Sequence, residues 1–201
     1  MCGGPAGAGG GAGPRPQRLG ARRGDHVHLS PLAGSAPRSA DPEQDRRLGD
    51  ALLASPKDRF EHEVVIADAL ERLAPLVAGL HRSTTPVLHR FPSVQHLATP
   101  ITGTTSVRIL ELAAALHPTA AVGGIPRSEA LRFIEKAEGI DRGWYAGGIG
   151  WADGSGDGEI AVGLRCALLR GDSAIAYAGN GIVADSAPAA ELDETRLKLR
   201  P

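Results

Sequence analysis

The sequence has few aromatic residues: Phe, Tyr and Trp make up 3% of its 201 positions, and Met occurs once. A core built on stacked rings is thereby excluded, and Leu, Val, Ile and Ala must fill the interior. Cysteine occurs only as Cys2 and Cys166, too few for a disulfide framework or a cysteine-ligated metal. Charge of one sign is not in excess. The 22 Lys and Arg against 23 Asp and Glu leave a net charge of −1, without the basic footprint of a nucleic-acid or anionic-membrane partner. No apolar run approaches the length of a membrane span, and the N-terminal segment has no signal-peptide hydrophobic stretch. The expectation is a cytoplasmic protein with neither nucleic acid nor membrane as partner. Oligomeric state leaves no mark in the sequence.

The length suffices for one domain with a real core. Residues 1–24 are dense in Gly, Ala, Pro and Arg and show no apolar periodicity, so they are expected to form a disordered or non-homologous tail. Their glycines follow no strand, which a phosphate loop would need. Residues 25–201 read as the folded domain. Asp25–Ser30 alternates like a strand, and Glu43–Ala54 reads as a helix. Ser55 then looks like a helix cap, with Pro56 in the first turn and Asp58 at the capping-box position. That helix is expected to run to about Val77, with Ile66, Leu70, Leu73 and Val77 as its apolar stripe. Pro86–Phe91 and Gln95–Ile101 are short strands. Ser106–Leu116 and Ser128–Glu138 are helices, the second capped by Ser128. Tyr145–Ala152, Glu159–Leu169 and Ser173–Val183 predict one antiparallel meander, followed by a last helix from Pro188. Strands and helices mix without a βαβ rhythm, so the class is α+β.

Two acidic pairs carry the chemistry. Asp58 and Glu61 lie three apart on one predicted helix, and Glu191 and Glu194 lie three apart on another, with Lys198 four residues further on. Each set shares a helix face. The ordinary reading is a solvated face near a helix N-terminus, where acids are favoured anyway. Brought together, the four carboxylates would be hard oxygen ligands for Mg²⁺. Arg165 sits among apolar residues of a predicted strand, and if it faces inward it needs an anionic partner. Gly179 and Gly181 bracket Asn180 at a strand end, as a tight turn or as a close approach of backbone amides to a carboxylate. His96 and His117 lack metal-ligand spacing, His62 reads as packed or surface, and Ser35 has no visible histidine–acid partnership.

Seven segments occur in a recognisable order: Pro31–Ala36, Leu53–His62, His96–Thr99, Leu116–Thr119, Gly123–Pro126, Tyr177–Val183 and Glu191–Thr195. Together they resemble the C-terminal part of the chorismate-utilising enzymes. The Leu-His-Pro-Thr and Gly-Trp-Tyr-Ala-Gly-Gly-Ile-Gly-Trp stretches favour the isochorismate synthase branch. The resemblance implies part of a layered α/β sandwich, truncated at the N-terminus. It also implies Mg²⁺-dependent conversion of chorismate to isochorismate for menaquinone or siderophore synthesis. A salicylate synthase is the alternative, and a non-catalytic fragment or partner chain is the reading from another class.

By the same resemblance, Glu61 and Glu194 bind the metal directly, and Asp58 and Glu191 touch its waters. Gly34, Ser35 and Lys198 hold the ring carboxylate, while Tyr145, Arg165, Gly179 and Gly181 hold the enolpyruvyl carboxylate. Thr119, Ala121 and His96 line the ring. In the family a lysine-activated water attacks ring carbon 2, and a glutamic acid protonates the departing 4-hydroxyl. Here the acid's position aligns with Gln17, the lysine has no counterpart, and an alanine or glycine usual in the family is replaced by Asn180. The expected outcome is substrate binding with impaired turnover.

Overall fold

The computed structural model describes residues 10–12 and 17–199. In chain order the elements are β1 (Gly10–Ala12), β2 (Gln17–Arg23), β3 (His26–Leu29), β4 (Leu32–Pro37), α1 (Pro42–Ala54), α2 (Pro56–Leu73), β5 (Ala78–Arg82), β6 (Val87–Arg90), β7 (Val94–Ala98), β8 (Ile101–Thr104), α3 (Ile109–Leu116), α4 (Ala120–Gly123), α5 (Arg127–Ala137), β9 (Gly148–Ala152), β10 (Gly158–Val162), β11 (Cys166–Arg170), β12 (Ser173–Tyr177) and α6 (Pro188–Lys198). The class is α+β, and the strand pairs are antiparallel.

The strands form three sheets. The largest has the order β5-β8-β3-β2-β10-β9, and the two smaller ones are β4-β7-β6 and β1-β11-β12. One face of the large sheet supplies Leu19, Val27, Leu29, Ile101, Ile160 and Val162 to the core. These strands alternate in burial, as the eBeB pattern of β3 shows, because successive side chains point to opposite faces. Against this face lie Ile66, Ala69 and Leu73 of α2 and Ile109, Leu112 and Leu116 of α3. As composition requires, this core contains no aromatic ring. No single helix among the described residues is long and apolar enough to cross a membrane.

Helix α2 starts where its sequence says it should. Ser55 Oγ accepts from the Asp58 backbone N–H at 3.3 Å, and Pro56 occupies the first turn. That orphan donor is thereby satisfied. Helix α1 is capped likewise, with Asp41 accepting from Gln44 N–H at 2.7 Å. By contrast, α5 has Pro126 at its cap without a side-chain cap bond, and Ser128 Oγ turns to Glu129 at 2.8 Å.

Three expectations are corrected. First, a structureless segment ending at Gly24 does not match the described residues. Gln17–Arg23 is an inner strand paired to β3 and β10, and Gly10–Ala12 pairs with β11. The remaining residues of that segment lie outside the described set. A strand held from both sides needs no strong alternation of its own, and Arg22 is anchored by Asp157 at 2.7 Å. Secondly, the single meander is two hairpins in different sheets, because β10 pairs with β2 whereas β11 pairs with β1. Arg165 lies between them at φ 48°, a left-handed conformation that cannot continue a strand. Thirdly, α3 packs directly on β9 and β10 and α2, the helix starting at Pro56, reaches the same core through Ile66, Ala69 and Leu73, whereas the helix starting at Pro188 supplies no residue to that core cluster. Helix α2 also ends at Leu73 rather than Val77, although Val77 stays buried.

Ile66 is fully buried and Phe60, on the same helix, is 64% exposed. Ile66→Ala is expected to destabilise the chain by about 2–5 kcal/mol, and Phe60→Ala to stay within about 0.5 kcal/mol of wild type. Urea unfolding of both variants checks the contrast.

Candidate active site

A cleft of about 180 Å³ opens beside the small sheet that contains β4 and β7. Its walls come from β4, α2, β7, the loop after α5, the crossover between β10 and β11, the segment after β12, and the end of α6. Ten sequence-nominated residues line it: Gly34, Ser35, Glu61, His96, Ala121, Tyr145, Arg165, Gly179, Gly181 and Lys198. Thr119 does not. It caps α4 and lines a smaller apolar cavity on the other side of Ala121. Asp58, Glu191 and Glu194 stand behind the lining. The backbone of Gln17 is the first residue of β2, paired with Val162, and its side chain lies outside the described set.

One wall is built on a bulge. The register of β4 against β7 shifts between Ala33 and Ser35, and Gly34 sits there at φ 68°. A side chain at 34 would be strained by that backbone and would also come 3.0 Å from Asp58 Cβ. The bulge directs the Gly34 carbonyl and the Ser35 hydroxyl to His96 Nδ1, each at 3.0 Å. On its other side, His96 Nε2 lies 3.3 Å from Arg165 Nη2. Burial pushes the His96 imidazole down to about 3, so it is neutral at ordinary pH. Arg165 spreads over the Phe91 ring at 5.2 Å, and burial lowers its pKa. No carboxylate among the described residues pairs with it. A half-buried guanidinium that faces a cleft without a carboxylate partner of its own is suited to an anion.

The opposite wall depends on two glycines. A Cβ at Gly179 would sit 2.9 Å from the Tyr145 hydroxyl, and one at Gly181 would sit 2.7 Å from Glu61 Oε1. A side chain at either position would therefore push the Tyr145 or Glu61 side chain out of its present place. Lys198 donates to the Gly179 carbonyl at 3.1 Å and pairs with Glu194 at 2.7 Å. Tyr145 stacks on Tyr177 at 5.4 Å, and burial raises its pKa.

Glu61 is the carboxylate under most electrostatic pressure. Burial raises its pKa, and the charges of Glu194 and Asp58 raise it further, against opposition from Lys198 and the Gly34 backbone. The two acidic helices are joined by the Lys57–Glu191 bridge, and Glu61 feels the charge of Glu194. Glu191 is held differently. Lys57 Nζ donates to its Oε1 at 2.6 Å, and the Asn180 amide donates to its Oε2. Burial pushes the Glu191 pKa up, but the bonds from Lys57, Ser186 and Asn180 outweigh it and the net shift is down. Asn180 also accepts from Thr195 Oγ1 at 3.0 Å, so it clips the glycine segment to α6.

These donors suit a hard cation, being carboxylate oxygens with Glu61 already repelled by its neighbours. Among the described residues no three His, Cys, Asp or Glu side chains converge into a ready cage. Lys198 neutralises Glu194, and Lys57 neutralises Glu191. Glu61 forms no ion pair among the described residues, and a cation there would compete with Lys198 for Glu194. Both Glu191 oxygens are engaged by protein.

Several residues in or next to the cleft carry little sign of it in the sequence. Arg142 lines the cleft beside Tyr145, and its guanidinium grips Glu138 and the Val122 carbonyl. Its spacing of four from Glu138 was a readable ion-pair signal. Phe91 and Lys57 had no comparable signal, since their partners Arg165 and Glu191 lie far away in sequence.

A family model described as chorismate binding enzyme matches residues 11–201, and so includes most of the segment expected to be an unrelated tail. A salicylate biosynthesis isochorismate synthase of Pseudomonas aeruginosa is 47% identical, with 93% of this chain and 40% of that protein covered. Isochorismate synthase MenF of Bacillus subtilis is 42% identical, with 94% and 41% covered. The solved structure of MenF, the menaquinone-specific isochorismate synthase from Escherichia coli, matches with a TM-score of 0.86 at 33% identity, covering 96% of this chain and 47% of that one. The chain spans less than half the length of each of these three.

Two outcomes follow from the charges. A carboxyl group with a raised folded pKa contributes stability below its unfolded value, and loses it as pH rises through the folded value. In metal-free buffer Glu61→Gln should melt above wild type at pH 7. The gain should vanish below the ordinary glutamate value of 4.5, as thermal melts across pH would show. Lys57→Ala leaves buried Glu191 without its cation and should cost about 1–2 kcal/mol in urea unfolding, the low end because Lys57 is partly solvated.

Proposed function

Because the chain belongs to the chorismate binding enzyme family, we propose that it supplies the carboxylate-clamping and cation-holding part of an isochorismate synthase acting on chorismate. The observation that carries this reading is Arg165, a half-buried cation without a protein carboxylate that faces a cleft. Chorismate carries two carboxylates, one on the ring and one on the enolpyruvyl group. Arg165, Tyr145 and the Gly179–Gly181 backbone would take the enolpyruvyl carboxylate. Gly34, Ser35 and Lys198 would take the ring carboxylate. The relatives' names include both menaquinone and salicylate routes, so the reading stops at the reaction they share.

Glu61 and Glu194 would hold Mg²⁺ directly, with Asp58 and Glu191 behind them. Bound there, the ion would supply a hard Lewis acid that offsets the charge of the ring carboxylate. Lys198 reaches both Glu194 and the Gly179 carbonyl, so it links the cation side of the cleft to the carboxylate side. Tyr145, held neutral by its raised pKa, can donate a hydrogen bond but cannot serve as a base at ordinary pH.

Hydroxyl transfer on the ring needs a base for water and an acid for the leaving group. His96 meets neither need. Its pKa is too low, and its Nε2 is turned to Arg165. With Lys198 bound to Glu194 as well, the role proposed for these 201 residues by themselves is binding and positioning with little turnover.

Titration calorimetry with chorismate tests the proposal. Affinity should rise with Mg²⁺, and Glu194→Gln should remove that dependence. Arg165→Ala should weaken chorismate roughly 10–100-fold, the value of a charge-assisted hydrogen bond, with or without Mg²⁺. Equal affinity in wild type and Arg165→Ala would sink the assignment. Turnover of chorismate by the purified chain at about 1 s⁻¹ or faster, an ordinary enzyme rate, would overturn the binding-without-turnover reading.

A further inference from the structure

We infer that His96 is a positioning residue that ties the two carboxylate-holding walls together, fixed as the tautomer that donates from Nδ1 to the Gly34 carbonyl and accepts from Arg165 at Nε2. The functional half of this inference rests on the reading of Arg165 and Gly34–Ser35 given above; the tautomer does not.

The contacts leave one arrangement of protons. Arginine has only donors and stays charged. Its Nη2 lies 3.3 Å from His96 Nε2, so that nitrogen must offer a lone pair. The proton of a neutral ring is then on Nδ1, which faces the Gly34 carbonyl at 3.0 Å, a group that can only accept. The opposite tautomer would set an N–H against the guanidinium donors and a lone pair against the carbonyl oxygen. It would turn two attractions into two repulsions. A doubly protonated ring would set one cation against another. Lys198 and His89 add to the positive side of that balance, and burial, the largest cause, pushes the ring the same way, down to about 3. His96 is buried, with the Phe91 ring edge-on at 5.7 Å.

The consequence is a pinned pair of subsites. Arg165 is held by His96 at one nitrogen and by the Phe91 face at its centre. Its left-handed backbone, at φ 48°, further limits where the side chain starts. The remaining guanidinium N–H groups are left to meet an anion. On the other side the Ser35 hydroxyl, 3.0 Å from the same Nδ1, can accept there and turn its own proton toward the cleft. One neutral imidazole thereby sets the donors of both walls, and disturbance at either wall reaches the other through it.

Long-range ¹H–¹⁵N correlation on the histidine-labelled chain reads the tautomer directly. The expected result is a neutral Nδ1–H ring for His96, unchanged from pH 5 to 8. An Nε2–H ring, or a His96 signal titrating in that range, overturns the inference, and this measurement needs no ligand and no variant. Chorismate calorimetry then tests the coupling. His96→Gln, whose amide oxygen can replace Nε2 as acceptor for Arg165, should bind within about threefold of wild type. His96→Ala should lose about tenfold, and should lose nothing further when Arg165 is already alanine. Additive losses would assign His96 a separate contact and overturn the pinning. If Arg165→Ala alone leaves affinity unchanged, the function proposed above fails while the tautomer result stands on its own.

Discussion

The left-handed turn between β10 and β11 is the constraint on which the rest of the site depends. An uninterrupted strand from Glu159 to Leu169 would continue β10 within the large sheet, where it lies between β2 and β9. At Arg165, with φ 48°, it instead leaves the sheet containing β2 and joins the one containing β1. That reversal does two things. It drops the Arg165 side chain onto His96 and Phe91, and it sends the chain through β11 and β12 so that Gly179 and Gly181 return opposite. Arg165 on one side of the cleft and the glycine pair on the other therefore depend on one change of direction, on a residue type that rarely adopts it, while the bulge at Gly34 shapes the β4 wall separately.

The electrostatics are arranged around that cleft in separate compartments. Arg38 and Asp45 satisfy each other away from it, as do Arg22 and Asp157. Glu191, Lys57 and Asn180 join α2, α6 and the glycine segment. Removing those pairs leaves two imbalances. Arg165 is a cation without an acid, and Glu61 is a half-buried acid repelled by Glu194 and Asp58. The first asks for an anion and the second for a cation. A dicarboxylate bound beside a divalent ion answers both, and the two would assist each other, because each reduces the repulsion the other meets.

What could be read along the chain was local. The Ser55–Pro56 start of α2 and the shared face of Asp58 and Glu61 follow from capping chemistry and the helical repeat, neither of which needs a distant partner. The α+β class followed from the order of periodic segments, and the seven ordered segments carried the family. Reading failed where pairing or turning is decided at a distance. β2 is rich in Gly and Arg, and it is a strand because β3 and β10 hold it from both sides. Glu159–Leu169 reads as one strand, yet its two halves belong to hairpins in different sheets.

The same division runs through the site. Sequence by itself determined which side chains could act: four carboxylates at helical spacing, a lysine one turn on, an arginine among apolar residues and a glycine pair at a strand end. It also determined that glycine stands at 179 and 181, where the chain passes Tyr145 and Glu61. Tertiary structure alone decided which of these meet. It set Glu61 against Glu194, gave Glu191 to Lys57 and Asn180, placed Thr119 outside the cleft, and turned His96 from a ring-lining candidate into the neutral link between Gly34 and Arg165. The physical reason is that charge state and partnership are properties of distance and burial, and the residues concerned lie 62 and 69 positions from His96 along the chain.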